Sequence, residues 1–360
     1  MKKILVCASL CLSLLVSAQS KMDFEKYNPV STLVVPGKKL TRAKFPFIDV
    51  HNHQGNMASQ NIPDLLKQMD QLNMKIMVNL SGRSGQALAS AVKHVKETTP
   101  NRLLQFANLS FTGFGETGWT ETAVKQLEQD VKAGANGLKI FKQLGLGSKD
   151  KNGTLIAVDD PRLDAVWEKC GELHIPILIH TADPKPFWDI ADDKNERWLE
   201  IVTHPGRGYY GLPVPSWEVL IQQQHNIIRK HPKTLFIVAH FGWYANDLGK
   251  LGSLLDSFPN MNIEFGAIIA ELGRQPKMAK KFFEKYQDRI LFGKDSWVPE
   301  EYATYFRVLE SEDEYFPYHK KYHAFWAMYG MGLSDDVLKK VYYKNALRII
   351  PNIDKSLFGN

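Results

Sequence analysis

The chain has 360 residues, with 45 Lys and Arg against 39 Asp and Glu and a formal charge of +6. Charges of both signs are interspersed and form no basic stripe, which argues against nucleic acid as a partner. Of the three cysteines, Cys7 and Cys11 fall in an N-terminal apolar run, so Cys170 is left alone and a disulfide scaffold is excluded.

Residues 1–18 read as a cleaved export signal. Lys2 and Lys3 form a basic start, Ile4 to Val16 are almost wholly apolar, and Val16-Ser17-Ala18 is a small-residue cleavage site. The run is too short and wrongly flanked for a membrane span. Neither Cys7 nor Cys11 follows the small residue of a bacterial lipoprotein signal, so the expectation is an exported protein, periplasmic or secreted, with no lipid anchor. Removing this segment leaves 342 residues and a charge of +4. Residues 19–44 read as an N-terminal extension and 45–352 as one large domain.

Within that domain, strand-like and helix-like stretches alternate. The first strand, Phe47 to His51, is followed by an amphipathic stretch from Ile62 to Leu72 and a strand from Lys75 to Leu80. A helix pattern from Gln86 to Glu97 precedes the strand Arg102 to Asn108, and one from Thr120 to Ala133 precedes Gly137 to Lys142. Next come a helix over Asp160 to Leu173, a strand ending at His180, a helix over Trp217 to Lys230 and a strand ending at His240. Helices over Leu248 to Phe258 and Lys277 to Tyr286 lead to strands Asn262 to Gly266 and Arg289 to Asp295, and a helical region closes the chain after residue 300. Eight such units predict an α/β fold of the (β/α)8 TIM-barrel type, whose active site lies at the C-terminal ends of the strands. An open doubly wound sheet is the alternative, but it would not readily bring strands 1, 5, 6 and 8 together.

Chemistry-bearing residues fall at those strand ends. FIDVHNHQ places His51 and His53 one residue apart, on one side of an extended strand. IPILIH stops at His180, LFIVAH at His240 and RILFGKD at Asp295. Several strands delivering imidazoles and a carboxylate to one end predict a single metal site; the bland reading is packing of histidines at strand ends.

VHNH on the first strand, His180, His240 followed by Phe-Gly, FGKDSW and Tyr343-Lys-Asn-Ala-Leu-Arg348 resemble the amidohydrolase superfamily. More narrowly they resemble the amidohydrolase-2 branch that includes aminocarboxymuconate-semialdehyde decarboxylase and related hydrolases and lactonases. The resemblance spans Phe47 to Ile350. It implies a barrel with one divalent metal, usually zinc, on His51, His53, His180 and Asp295. Imidazole and carboxylate donors suit Zn2+, which lowers the pKa of bound water to about 7. Asp295 would then take the proton of that water, with His240 beside it as base or oxyanion donor.

Three features bear on the substrate. Lys139, inside the fourth strand with Phe141 on its face, has three readings: a substrate-carboxylate partner, a barrel-wall lysine paired with an acid such as Glu264, or the carboxylated bridge of two-metal relatives. The long connection from Thr181 to Ser216 is rich in aromatic and charged residues, with Phe187, Trp188, Arg197, Tyr209 and Tyr210 as candidates for substrate contact. Asp183 lies three residues beyond His180, in position to orient the ligands. Arg274 after the seventh strand would suit a substrate carboxylate, or form a salt bridge to Glu271 or Asp295. His204, His225, His231, His319 and His323 follow no strand and are expected at the surface or in loops.

The expected function is hydrolysis of an ester, lactone or amide in a small, carboxylated molecule by zinc-activated water. Non-oxidative decarboxylation at the same metal is the nearest rival, and a catalytically silent barrel that binds a ligand is the alternative from another class. A homodimer is the default assembly for such barrels.

Overall fold

The computed structural model describes residues 22, 23, 26, 27, 29–37, 40–320, 323 and 325–359. The export-signal reading of residues 1–18 lies outside them. The chain divides into Met1–Leu33 and Val34–Asn360, and the second unit holds the barrel.

Eight parallel strands run in chain order: β1 Phe47–Asn52, β2 Met74–Asn79, β3 Leu103–Asn108, β4 Gly137–Ile140, β5 Ile177–Ile179, β6 Phe236–Val238, β7 Met261–Glu264 and β8 Ile290–Leu291. Val50 N–H donates to Phe292 O at 2.9 Å and Asp295 N–H to His51 O at 2.7 Å, which joins the last strand to the first and closes the barrel. Helices lie between consecutive strands, as the alternating pattern predicts. The first of them, Ile62–Leu72, buries Ile62, Leu65, Met69 and Leu72 at helical spacing, starts at an Asn61 cap and ends at left-handed Asn73. Among the described residues no helix is long and apolar enough to cross a membrane.

Two apolar layers result. Alternate residues of the strands, among them Ile48, Val50, Ile76, Val78, Phe106, Leu178, Ile237 and Leu291, pack together inside the barrel. Ala346, Ile349, Ile350 and Phe358 from the chain's end join that cluster and form its floor. The opposite faces of the strands pack on the helices. The closing region comprises the helix Tyr302–Glu310, a two-stranded antiparallel pair β9 Phe316–Pro317 and β10 Ala327–Met328, and the helices Asp335–Lys339 and Asn345–Ile349, joined by a π-helical turn.

The later strands are shorter than their apolar runs predict. β5, β6 and β8 end at Ile179, Val238 and Leu291, because the residues that follow leave the ladder to build the site. The histidine expectation needs correction: His225, His231 and His323 are buried, not superficial. His231 caps the helix Trp217–Lys230 and pairs with Asp164 at 3.0 Å, while His225 packs beside Tyr244 and Phe258. A buried imidazole with a polar or aromatic partner satisfies its ring as well as water does.

Candidate metal centre

Ile48 and Val50 face the barrel core, so strict alternation along β1 would send His51 toward the helices. The β1–β2 register slips between Asp49 and Asn52, and this irregularity re-aims the strand end. His51 is fully buried as a result, with Nδ1 2.8 Å from Glu264 Oε1 and Nε2 3.2 Å from Asp295 Oδ1. His53 follows with Nε2 3.3 Å from His51 Nε2 and 3.6 Å from Asp295 Oδ1, while its Nδ1 lies 2.9 Å from Ser81 Oγ. Asp49 holds the base of this turn: its carboxylate accepts from Tyr302 Oη at 2.6 Å, Asn52 Nδ2 at 3.0 Å and the His51 amide at 3.0 Å. Burial pushes its pKa up to about 6.

After β6 the chain makes a left-handed turn. His240, Phe241 and Trp243 have φ of 56°, 54° and 61°, with Gly242 between them at 60°. Each non-glycine residue in this region costs roughly 1–2 kcal/mol, so other contacts must hold the turn. His240 N–H donates to Glu264 Oε1 at 2.9 Å and its Nδ1–H to Gly266 O at 2.7 Å. Phe241 is buried among Phe265, Phe282 and Phe283, and Trp243 Nε1–H donates to Thr181 O at 3.1 Å. The Trp243 indole stacks on the His240 ring at 4.5 Å. His180 turns its Nε2–H onto Ala182 O at 3.0 Å and presents Nδ1 to His240 Nε2 at 3.4 Å.

Glu264, read from the sequence only as a neighbour for Lys139, is the carboxylate that organises the centre. Its two oxygens accept from His51 Nδ1, from the His240 amide and from Gly266 N–H at 2.6 Å. Burial opposes its ionisation, but the imidazoles of His51 and His240 hold its pKa down at about 2. Its sequence signal was a lone acid on the inward face of an apolar strand. Asp295 is left-handed at φ 87° and stays ionised well below the carboxylate range, because His51, His240 and His53 outweigh its burial. For His51, burial lowers the pKa, yet Glu264 and Asp295 carry it above 6.5. Burial, with the positive charges of His51 and Lys139, takes His53 down to about 3; burial takes His240 to about 3 as well.

The residues fit a divalent cation. Backbone carbonyls fix the protons of His180 on Nε2 and of His240 on Nδ1, so two bare lone pairs face each other across 3.4 Å. His51, His53 and Asp295 offer ligand atoms that all lie within 4.8 Å of one another, a grouping that does not include His180, and the His51 ring lies 5.0 Å from that of His240. Asp295 is ionised among these imidazoles, and imidazole with carboxylate is the donor set of a divalent metal site. The second grouping by distance, His51, His240 and Glu264, is a hydrogen-bonded set whose carboxylate is already occupied; Glu264 orients ligands.

The substrate candidates divide. Lys139 points into the barrel, fully buried, with no hydrogen-bond partner on Nζ, which lies 5.4 Å from the Phe141 ring. Burial lowers its pKa to about 8 against the pull of Asp295 and Glu264. Asp183 stands behind His180, Oδ1 3.8 Å from Nε2, and accepts from Lys142 Nζ at 2.5 Å and Tyr209 Oη at 2.6 Å. Trp188 stacks on Tyr209 and donates to Pro215 O at 3.0 Å. Tyr210 is exposed and Phe187 buried. Arg197 is buried with Glu200, Glu271 and His323 as partners, none of which belongs to the imidazole cluster. Arg274 pairs with Glu196 at 3.3 Å rather than with Glu271 or Asp295, and its guanidinium lies over Trp326.

An amidohydrolase family model matches residues 48–351. Among solved structures, the chain resembles an uncharacterized TIM-barrel protein from Bordetella bronchiseptica at 13% identity and a TM-score of 0.54, covering 88% of this chain and 100% of that one. It also resembles a dihydroxybenzoic acid decarboxylase from Polaromonas with bound manganese and the inhibitor 2-nitroresorcinol, at 15% identity, TM-score 0.53 and coverage of 85% and 96%. A 4-oxalomesaconate hydratase from Rhodopseudomonas palustris matches at 15% identity, TM-score 0.51 and coverage of 85% and 95%. No curated protein matches the chain in sequence. At these identities the likeness to solved structures is one of fold.

Proposed function

Since this chain belongs to the amidohydrolase family, we propose that it is a metal-dependent hydrolase acting on an ester, lactone or amide of a small, carboxylated molecule. The observation that carries this reading is the meeting of ionised Asp295 with Nε2 of His51 and of His53 at the barrel mouth. His51, His53, His180 and Asp295 would hold one divalent ion, with zinc favoured by the three imidazoles. Such an ion supplies Lewis acidity to an oxygen and acidifies coordinated water.

The remaining chemistry belongs to the chain. Asp295, whose side chain keeps 36% of its surface, is the accessible carboxylate that takes a proton from the attacking water. His240, its orientation fixed by Gly266 O, turns Nε2 toward the same space and assists as base or, once protonated, as donor to the developing oxyanion. Lys139 offers its unpartnered ammonium to a substrate carboxylate, the group that would balance it best in so dry a place. The N-terminal apolar run supports action outside the cytoplasm.

A second reading, non-oxidative decarboxylation, draws support from the decarboxylase and the hydratase among similar folds and from the same interior cation. Product analysis on a panel of lactones, esters, amides and aromatic carboxylates separates them. Gain of one water marks the hydrolase; release of CO2 marks the decarboxylase. Metal uptake with no turnover on any of them would favour the silent barrel.

A further inference from the structure

The far arm of the long connection after β5 reaches the residues around His180 through the Tyr209 hydroxyl. Phe187 O accepts from Tyr209 N–H at 2.6 Å, the Tyr209 ring stacks on Trp188 at 4.4 Å and 30°, and Trp188 donates to Pro215 O. The two arms of the connection are therefore clasped to each other through Tyr209. From that clasp Tyr209 Oη–H reaches Asp183 Oδ2 at 2.6 Å, the oxygen that also accepts from Lys142 Nζ at 2.5 Å. Asp183 is further held through its carbonyl, which accepts from Trp217 Nε1–H at 3.0 Å.

Ala182 and Asp183 together hold the His180 ring, one by a hydrogen bond and the other by charge. Ala182 is left-handed at φ 61°, a conformation that turns its carbonyl back to accept from His180 Nε2–H at 3.0 Å. Asp183 Oδ1 adds negative charge 3.8 Å from that nitrogen. With Nε2–H committed on this side, Nδ1 is the lone pair offered to the metal.

We propose that Tyr209 is a positioning residue for the metal centre, linking docking of the 181–216 connection to retention of the ion on His180. The inference rests on the metal-dependent reading above. Linkage is reciprocal: if the docked connection steadies the ligand, the bound ion must steady the connection by the same factor. Removing a direct orienting partner of a ligand weakens metal binding by roughly 10- to 100-fold. Asp183 acts on the ring by charge at 3.8 Å rather than by a hydrogen bond, so Asp183→Asn should fall at the low end of that range, about 10-fold, and Tyr209→Phe, one contact further out, should weaken binding about 3-fold. Phenylalanine keeps the stack on Trp188, so the hydroxyl alone is tested.

The experiment strips the full chain with a chelator and titrates it with Zn2+ alone, then with Mn2+ alone. It compares native protein, Tyr209→Phe, Asp183→Asn and the exposed neighbour Tyr210→Phe as control. Limited proteolysis within 189–196 is followed with and without metal. The expected result is weaker binding in Tyr209→Phe and Asp183→Asn, native affinity in Tyr210→Phe, and metal protection of the connection that shrinks in Tyr209→Phe. Native affinity and native protection in Tyr209→Phe would overturn the link, as would cleavage of the native connection at equal rates with and without metal. Should Tyr209→Phe fail to fold, native-like affinity in Asp183→Asn overturns it by itself. A native chain that takes up neither ion overturns the metal-dependent reading and this inference together.

Discussion

His180 Nδ1 and His240 Nε2 lie 3.4 Å apart, and each ring has committed its proton to a backbone carbonyl on its far side. Two lone pairs so placed repel unless a cation lies beside them. Purified protein should therefore carry about one divalent ion per chain, lost in His180→Ala. Saturating metal should raise stability by about 2.7 kcal/mol at a hundredfold excess over Kd. Elemental analysis and thermal unfolding before and after chelation check both; two ions per chain would instead point to Lys139 as a bridging group.

Metal uptake should depend on pH through one proton. His51 is held above its ordinary pKa of 6.5 by Glu264 and Asp295, so in the metal-free protein it gains, as pH falls through that raised value, a proton that an incoming ion must displace. His53 and His240, near 3, have none to lose above pH 5. Affinity should fall as pH drops through the raised His51 value, with a slope of about one in log Kd against pH. A slope near three between pH 8 and 5 would show three competing imidazoles and refute this electrostatic picture.

Glu264→Gln should be costly twice over. It leaves His51 and the turn at His240 without their buried anion, and breaking a buried pair from one side costs about 3–5 kcal/mol. Urea unfolding of the metal-free protein reads that loss. Metal titration should show a further weakening of about 10- to 100-fold, since the carboxylate orients the His51 ring and anchors the backbone turn that carries His240.

Asp295→Asn should keep the fold, because the Asp295 amide rather than its carboxylate bonds to His51 O. Turnover should drop by about 10²- to 10⁴-fold as the proton acceptor is lost. Circular dichroism and single-turnover kinetics with metal at saturation separate loss of the base from loss of the ion. Activity close to native would remove Asp295 from the mechanism.

Lys139→Met should stabilise the metal-free protein while impairing it as an enzyme. Burial lowers the Lys139 pKa from 10.5 to about 8, so below pH 8 folding carries the penalty of a desolvated ammonium. That penalty fades as pH rises from 8 to 10.5, and at pH 7 it amounts to roughly 3 kcal/mol at most. Denaturant midpoints of both proteins at pH 7 and 10 should converge at the higher pH, and KM for a carboxylated substrate should rise.

The barrel and most of its centre were legible because apolar runs ending in His51, His180, His240 and Asp295 carry both the strand and its ligand in one short string. What the sequence hid depends on partners far along the chain. The slipped register at Asp49 is held by Tyr302, and the left-handed turn at His240 by Glu264 and Gly266. Neither has a local signature, since bulky Phe241 and Trp243 are poor choices for positive φ. Arg197 looked like a loop residue free to meet substrate, and only the fold brings Glu271 to it. His323 and His231 were misplaced for the same reason: the carboxylates that let them be buried, Glu200 and Asp164, are distant in sequence.

The barrel is closed by its first strand meeting its last, with the floor supplied by Ala346, Ile349, Ile350 and Phe358. A ribosome releases His51 long before Asp295, and the floor emerges after both. The ion site thus cannot form before Asp295 has emerged, however much of the helical layer has already condensed. Its assembly waits on the slow search of two strands far apart in sequence for each other. A chain cut even slightly short of residue 350 would reach that step with an unplugged barrel and little reason to shut it.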